Sequence, residues 1–245
     1  MEIRVHGPGQ DPEPLAVTMR TPGHDFELAV GFCLTEGVID SAADVATVAY
    51  CLPEDGVQHY NVVTIRLRNA IDLAAHHRAF AANASCGLCG KATLEQVEVA
   101  CGEVSPGPGV RRSVLVTLPK QLREAQAVFD ATGGLHAAAC FGTDGQLTVL
   151  REDVGRHNAV DKVVGHFGLE GSLPLSDQLL LVSGRMSFEI VQKAAIAGIP
   201  ILCAVSAPSS LAVEAADRLG QTVVGFLRGD RFNVYSHPER IEVEA

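Results

Sequence analysis

The chain has 245 residues, 47% apolar and 20% charged, which is enough to bury a core in one large domain or two small ones and excludes a disordered chain. Its 29 acidic and 19 basic residues give a formal net charge of −10, which argues against general nucleic-acid binding because phosphate backbones are repelled at long range. Seven cysteines and an opening stretch without the apolar core of a signal peptide point to reduced thiols in the cytoplasm.

The first half reads as mixed α and β. Met1 falls almost directly into a first strand, so a little N-terminal sequence is expected to be absent. A strand is predicted over 13–20, and a helix over 24–37 with Phe26, Leu28, Ala29, Phe32 and Cys33 as its apolar positions. Strands follow at 45–51 and 61–68, the second alternating Val63, Ile65 and Leu67 with Thr64, Arg66 and Arg68. Residues 69–92 have weak periodicity and read as a mobile loop or as a short helix followed by a loop, with a helix from about 93 to 101. Prolines and glycines at 102–113 mark a linker or a tight corner.

The second half is more regular. Pro119 suits the first turn of a helix reaching about Asp130. Residues 137–141 and 146–150 form a hairpin around Thr143-Asp144-Gly145, and a helix covers 157–168. Buried strands at 179–184, 200–206 and 222–227 alternate with helices at 187–198 and 209–220, each closed by glycine. Two successive strand–helix–strand units predict a parallel sheet. The uncharged run 194–213 is long enough to span a bilayer, but its prolines, glycine and serines break it into a helix end, a strand and a helix start, so no membrane span is expected.

Ligands of open parallel sheets bind beyond the carboxyl ends of the strands. Those ends hold Ser183 to Ser187, Ser206 to Ser210, and Arg228 to Arg231. Two of the stretches open helices, whose free N–H groups favour an anion, and Arg185, Arg228 and Arg231 add side chains suited to phosphate. Against this, Ser187 and Ser209 are also ordinary helix caps worth about 1 kcal/mol each, and the arginines could be solvated. No phosphate-binding Walker loop or G-x-G-x-x-G turn is present.

Cys86 and Cys89 are close in sequence, in Ser85-Cys86-Gly87-Leu88-Cys89-Gly90-Lys91. Flanking glycines and Lys91 fit a reactive thiol with a raised thiolate fraction. Three readings compete: half of a metal site, a thioredoxin-type redox pair, and sulfur carriage. A structural zinc needs two further ligands, and His76, His77 and His136 have no signature spacing. The residues alone do not rank the other two. Cys33, Cys51, Cys101, Cys140 and Cys203 lie in apolar patterns and read as core. Zinc nucleobase deaminases need H-x-E and then P-C-x-x-C; here Ser85 precedes Cys86 and His136-Ala137-Ala138 lacks the glutamate. Arg156 and His157, at a helix start, are candidates to line the pocket, with a cap or core role as the equal alternative.

Longer stretches carry a resemblance. MRTPGHDFELAVGFCLTEGVI (19–39), SCGLCG (85–90), TGGLHAAACF (132–141), EDVGRHNAVDKVVG (152–165), SGRMSFEIVQKAAIAGIP (183–200), SAPSSLAVEAADRLG (206–220) and GFLRGDRFNVYSHPERI (225–241) resemble the formate dehydrogenase accessory sulfurtransferases, the FdhD/NarQ family, over nearly the whole chain. The resemblance implies an α/β protein in two lobes. A smaller α+β lobe over 1–112 would carry the Cys-x-x-Cys loop. A C-terminal lobe over 113–245 would be a cytidine deaminase-like α/β sandwich with a mixed, partly parallel sheet. It implies a cytoplasmic homodimer with no resident metal, in which a cysteine desulfurase loads sulfur as a persulfide on Cys86, with Cys89 as partner. The sulfur then passes to the molybdenum cofactor, a bis-molybdopterin guanine dinucleotide, needed by formate dehydrogenase. The family's cofactor segment corresponds to Phe226, Leu227, Arg228, Gly229, Asp230 and Arg231, beside the edge that holds Arg185 and Ser209.

Overall fold

A computed structural model describes residues 1–51, 57–73 and 102–243. In chain order the elements begin β1 (Glu2–His6), β2 (Glu13–Val17), α1 (Asp25–Thr35), β3 (Val45–Tyr50) and β4 (Val62–Leu67). Then come β5 (Val110–Arg111), α2 (Arg112–Leu115), α3 (Leu118–Ala125), α4 (Ala127–Thr132), β6 (His136–Gly142) and β7 (Leu147–Asp153). The chain continues with α5 (Arg156–Leu169), β8 (Gln178–Val182), α6 (Phe188–Ile196), β9 (Ile201–Ala204) and α7 (Ser210–Arg218). It closes with β10 (Thr222–Arg228), β11 (Arg231–Ser236) and β12 (Ile241–Glu242). Most of the expected stretch 69–92 (from 74 onward), its Cys-x-x-Cys pair and the helix at 93–101 lie outside the described residues.

Three sheets result. The larger has the order β11-β10-β9-β8-β6-β7, with β8, β9 and β10 parallel to one another and the hairpins β6–β7 and β10–β11 antiparallel. The second has the order β2-β1-β4-β3, in which β1 and β4 run parallel; β5 and β12 form a small third. The fold is thus mixed α/β with mixed sheets. Strands β8 and β9 are buried almost throughout because the large sheet is covered on both faces. Alternation sorts the side chains: Ala138, Cys140, Leu180 and Val182 join one core cluster, while Ala137, Ala139, Phe141, Leu179 and Leu181 join another.

The first cluster also holds Ile3, Val5, Val63 and Ile65 of the second sheet, so it runs across both halves of the chain. Helix α1 packs on β4 and α5, and α5 packs on β6 and β7. The two helices cross at Gly31 and Gly165. A Cβ at Gly31 would lie 1.8 Å from the Asp161 carbonyl oxygen, and one at Gly165 would lie 1.8 Å from the Glu27 carbonyl oxygen. Only glycine permits this backbone contact. Buried ion pairs tie the same elements together. Lys162 Nζ is 2.7 Å from Asp153 Oδ2, and Lys193 Nζ is 2.9 Å from Asp161 Oδ1 and 2.8 Å from Glu36 Oε1.

One expectation needs correction. The single helix from Pro119 to Asp130 is two helices, broken at buried Gln126, whose ψ is 73°. The break frees N–H groups at the start of α4, and the Glu152 carboxylate accepts from Val128 at 2.9 Å and Phe129 at 2.8 Å, an anion on a helix N-terminus. Residues beyond Arg231 are a strand, β11, which pairs with β10 across the turn at Gly229 and Asp230. The closing glycines stand where expected: Gly198 and Gly220 follow α6 and α7 with φ of 77° and 71°.

Candidate functional site at the carboxyl edge of the large sheet

The parallel strands β8, β9 and β10 end on one edge, and backbone hydrogen bonds stitch their following loops together. Met186 N–H donates to Ala207 O at 3.2 Å, Ser209 N–H donates to Met186 O at 3.0 Å, and Met186 bridges Pro208 in parallel. Phe226 N–H donates to Ser206 O at 3.0 Å, and Arg228 Nε donates to Val205 O at 2.8 Å. Ser183 to Ser187, Ser206 to Ser210 and Phe226 to Arg231 therefore form one continuous rim.

Strand β10 is irregular where it meets this rim. Its register with β11 shifts between Gly225 and Arg228, and Phe226 has a φ of 54°. Such a left-handed conformation costs a non-glycine residue about 1 kcal/mol or more and persists only where surroundings impose it. Here they do: a Cβ at Gly225 would meet Pro208 Cδ at 2.7 Å and Tyr235 Cε2 at 2.9 Å. The backbone is pressed between two elements, and the bulge carries the next residue outward. The Phe226 ring is left 42% exposed beside exposed Arg228, Gly229, Asp230 and Arg231, whereas the Leu227 side chain is fully buried. Arg185 is also exposed. Ser209 caps α7, its Oγ accepting from Ala212 N–H at 3.2 Å. Arg112 Nη2 donates to Asp230 O at 2.6 Å and braces the β10–β11 turn.

The rim extends past the residues picked out by sheet geometry. His136 opens β6, and its Nδ1 lies 3.2 Å from where a Cβ on Gly184 would stand. Arg156 and His157 open α5. His157 Nε2 is 3.0 Å from Ser187 Oγ and 3.8 Å from Glu189 Oε2. Ser187, unlike Ser209, does not cap its helix with its side chain. Arg156 Nε is buried with no hydrogen-bond partner among the described residues. Burial first, and then the Arg156 guanidinium, hold the His157 ring down to about 4; the same two causes lower His136. Both rings are thus neutral at physiological pH. The sequence named Arg156 and His157 only as candidates, because nothing local pairs His157 with a serine 30 residues away.

That depression has a sign for stability. The unfolded ring takes up its proton near 6.5 and the folded ring only near 4, so stability is full above about pH 6.5 and is lost as pH falls toward 4. His157→Gln is expected to flatten this part of the acid response. Urea midpoints compared at about pH 7 and about pH 5 check it; equal losses in both chains would assign the response to other groups.

Among the described thiols, Cys33, Cys140 and Cys203 are buried as expected. Burial pushes all three up, Cys203 to about 12, so they are poor nucleophiles. Cys51 departs from the expectation of a core position: it is half-buried, with Sγ 2.8 Å from Thr64 Oγ1. No group of three or more metal-ligating side chains occurs among the described residues, and no helix there is long and apolar enough to cross a membrane.

A protein of Desulfotalea psychrophila, described as a putative formate dehydrogenase accessory protein, superposes with a TM-score of 0.72 at 23% identity, covering 99% of this chain and 88% of its own. The sulfur carrier protein FdhD of Streptomyces avermitilis is 51% identical, covering all of this chain and 88% of its own. That of Sulfurisphaera tokodaii is 46% identical over 94% of this chain and 86% of its own. The model of the FdhD/NarQ family matches residues 3–242. With that match and half of its residues shared with such relatives end to end, the chain belongs to the FdhD/NarQ family.

Proposed function

We propose that this chain is a cytoplasmic sulfur carrier that serves formate dehydrogenase. It takes sulfur from a cysteine desulfurase and delivers it to the molybdenum cofactor. The observation that carries this reading is the full-length similarity to proteins named as sulfur carriers. The reading includes a cytidine deaminase-like C-terminal lobe and a homodimer. Cys86 is the acceptor. Its thiolate attacks the terminal sulfur of the desulfurase persulfide; a new S–S bond forms at Cys86 and the desulfurase thiolate leaves, so no external oxidant is needed. In delivery, the Cys89 thiolate attacks Cys86 Sγ. The Cys86–Cys89 disulfide forms, and the terminal sulfur departs with two electrons as sulfide for the substrate's metal. The buried, up-shifted thiols of Cys33, Cys140 and Cys203 are unsuited to compete.

The substrate is a bis-molybdopterin guanine dinucleotide, an anion with planar rings. The rim supplies the matching chemistry: guanidinium groups at Arg185, Arg228 and Arg231, backbone from Leu227 to Asp230, the Phe226 ring, and the N-terminus of α7 at Ser209.

Incubation with a desulfurase and sulfur-labelled cysteine tests the assignment. Label is expected on Cys86, and Cys86→Ala is expected to abolish both labelling and activation of formate dehydrogenase. A Cys86→Ala chain that still carries label and still activates the dehydrogenase would overturn it. A cofactor chaperone without sulfur chemistry would show the opposite pattern, with activation kept in Cys86→Ala and lost in Arg228→Ala.

A further inference from the structure

Two serines hold equivalent places on the rim. Ser187 follows β8 and precedes α6, and Ser209 follows β9 and precedes α7. Both have extended backbone at the helix start, with φ −96° and ψ 168° for Ser187 and φ −76° and ψ 158° for Ser209. A serine so placed ordinarily turns its oxygen back onto the first turn of its helix, and Ser209 does so. Ser187 Oγ instead meets His157 Nε2 at 3.0 Å and makes no cap. The backbone is set for a cap, and the contact with His157 takes its place. The ring itself is held in position, because its neighbour Asn158 donates to Met19 O at 2.7 Å and to Asp153 Oδ1 at 3.0 Å, which fastens the first turn of α5.

The hydrogen of the His157–Ser187 contact has a direction. Glu189 Oε2 lies 3.8 Å from the same Nε2. Burial and the Arg156 charge keep the ring neutral, so it carries a single N–H. Lys193 and Glu36 also act on the ring, with opposite signs and less strongly than Glu189. A lone pair on Nε2 would face the Glu189 carboxylate unfavourably, whereas an N–H there is attracted to it. Nε2–H therefore donates to Ser187 Oγ. A hydroxyl has one hydrogen and two lone pairs, so the serine keeps its own O–H to give. This is the reverse of a nucleophilic serine–histidine pair, in which Nε2 takes the hydroxyl proton and a carboxylate holds Nδ1–H.

Ser187 is two residues from Arg185, on the loop that Met186 stitches to Ala207 and Ser209. We propose that His157 is a positioning residue: by donating to Ser187 Oγ it keeps that oxygen off the end of α6 and turns the serine O–H toward the rim, where it donates to a phosphate oxygen of the substrate. The proposal rests on the reading of the rim as the substrate's anion site. His157 acts through Ser187 and touches no substrate itself.

Guanosine diphosphate, which carries the guanine and the two phosphates of each substrate tail, is the probe. Titration calorimetry on the full chain is expected to show about three- to tenfold weaker binding for Ser187→Ala, the worth of one hydrogen bond. His157→Leu is expected to lose the same factor, and the double variant no more than either. His157→Gln, whose amide N–H reaches the same oxygen, is expected to recover most of the affinity; a ring that only filled space would be replaced no better by glutamine than by leucine. Nitrogen NMR of the ligand-free parent is expected to show the Nε2–H form of His157, and this reading needs no variant to fold. Parent-like binding by His157→Leu, losses that multiply in the double variant, or an Nδ1–H ring would overturn the positioning role and leave the rim as the anion site. A parent chain that does not bind guanosine diphosphate would overturn both, while sulfur labelling of Cys86 would still stand or fall by its own experiment.

Discussion

Lys162→Met is expected to destabilise the protein by about 3–5 kcal/mol, the cost of leaving one partner of a buried ion pair alone. Lys162 is 1% exposed and Asp153 not at all, with 2.7 Å between Nζ and Oδ2. Lys162 also donates to the Thr21 and Glu152 carbonyls. The Asp153 carboxylate accepts from the Thr21 and Gly155 N–H groups and from Asn158 Nδ2, which fastens the start of α5 to the loop before α1. Methionine fills the volume but leaves that carboxylate without its cation. Asp153→Asn in the same chain should restore part of the loss by removing the uncompensated charge, and a double-mutant cycle in urea measures the coupling. A single variant within 1 kcal/mol of the parent would show that the pair is not what holds this junction.

Gly165→Ala is expected to destabilise by about 3 kcal/mol, at the top of the usual range for overpacking. Alanine is the better helix former by about 1 kcal/mol, so propensity alone predicts the opposite sign. Sterics win here because the obstacle is backbone: the new Cβ would stand 1.8 Å from the Glu27 carbonyl oxygen, which cannot rotate away. The helices must separate, and the buried pairs across them lengthen. Movement of α5 also loosens the burial that holds the His157 ring down, so the ring should titrate closer to its ordinary value. Thermal unfolding reads the first effect and a histidine NMR titration the second. A melting temperature equal to or above the parent's would refute the close crossing.

Local pattern carried much of this fold. The strand–helix alternation after residue 178 was readable because each strand is a short apolar run and each helix ends at a glycine with positive φ. Strand β11 carries the same kind of local signal, since Phe232 and Val234 alternate with polar neighbours. The break at Gln126 has no local cause. It depends on Glu152, 24 residues from Val128, arriving on β7 to accept the freed N–H groups.

The candidate site divides in the same way. Arg185, Ser209 and Phe226 to Arg231 were accessible to sequence reasoning because parallel strands place their following loops on one edge. The reactive thiol pair is still a sequence inference, since Cys86 and Cys89 lie outside the described residues. By itself, the sequence determined the family, the α/β class, the strand ends and the one glycine-flanked cysteine pair, all of which are short-range patterns of composition and spacing. Only the tertiary structure decided that His157 meets Ser187 and is held neutral beside Arg156. The same holds for the crossing of α1 and α5 on two glycines. The reason is physical: those properties belong to pairs of groups far apart in the chain, and their burial and distance do not exist until the chain has folded.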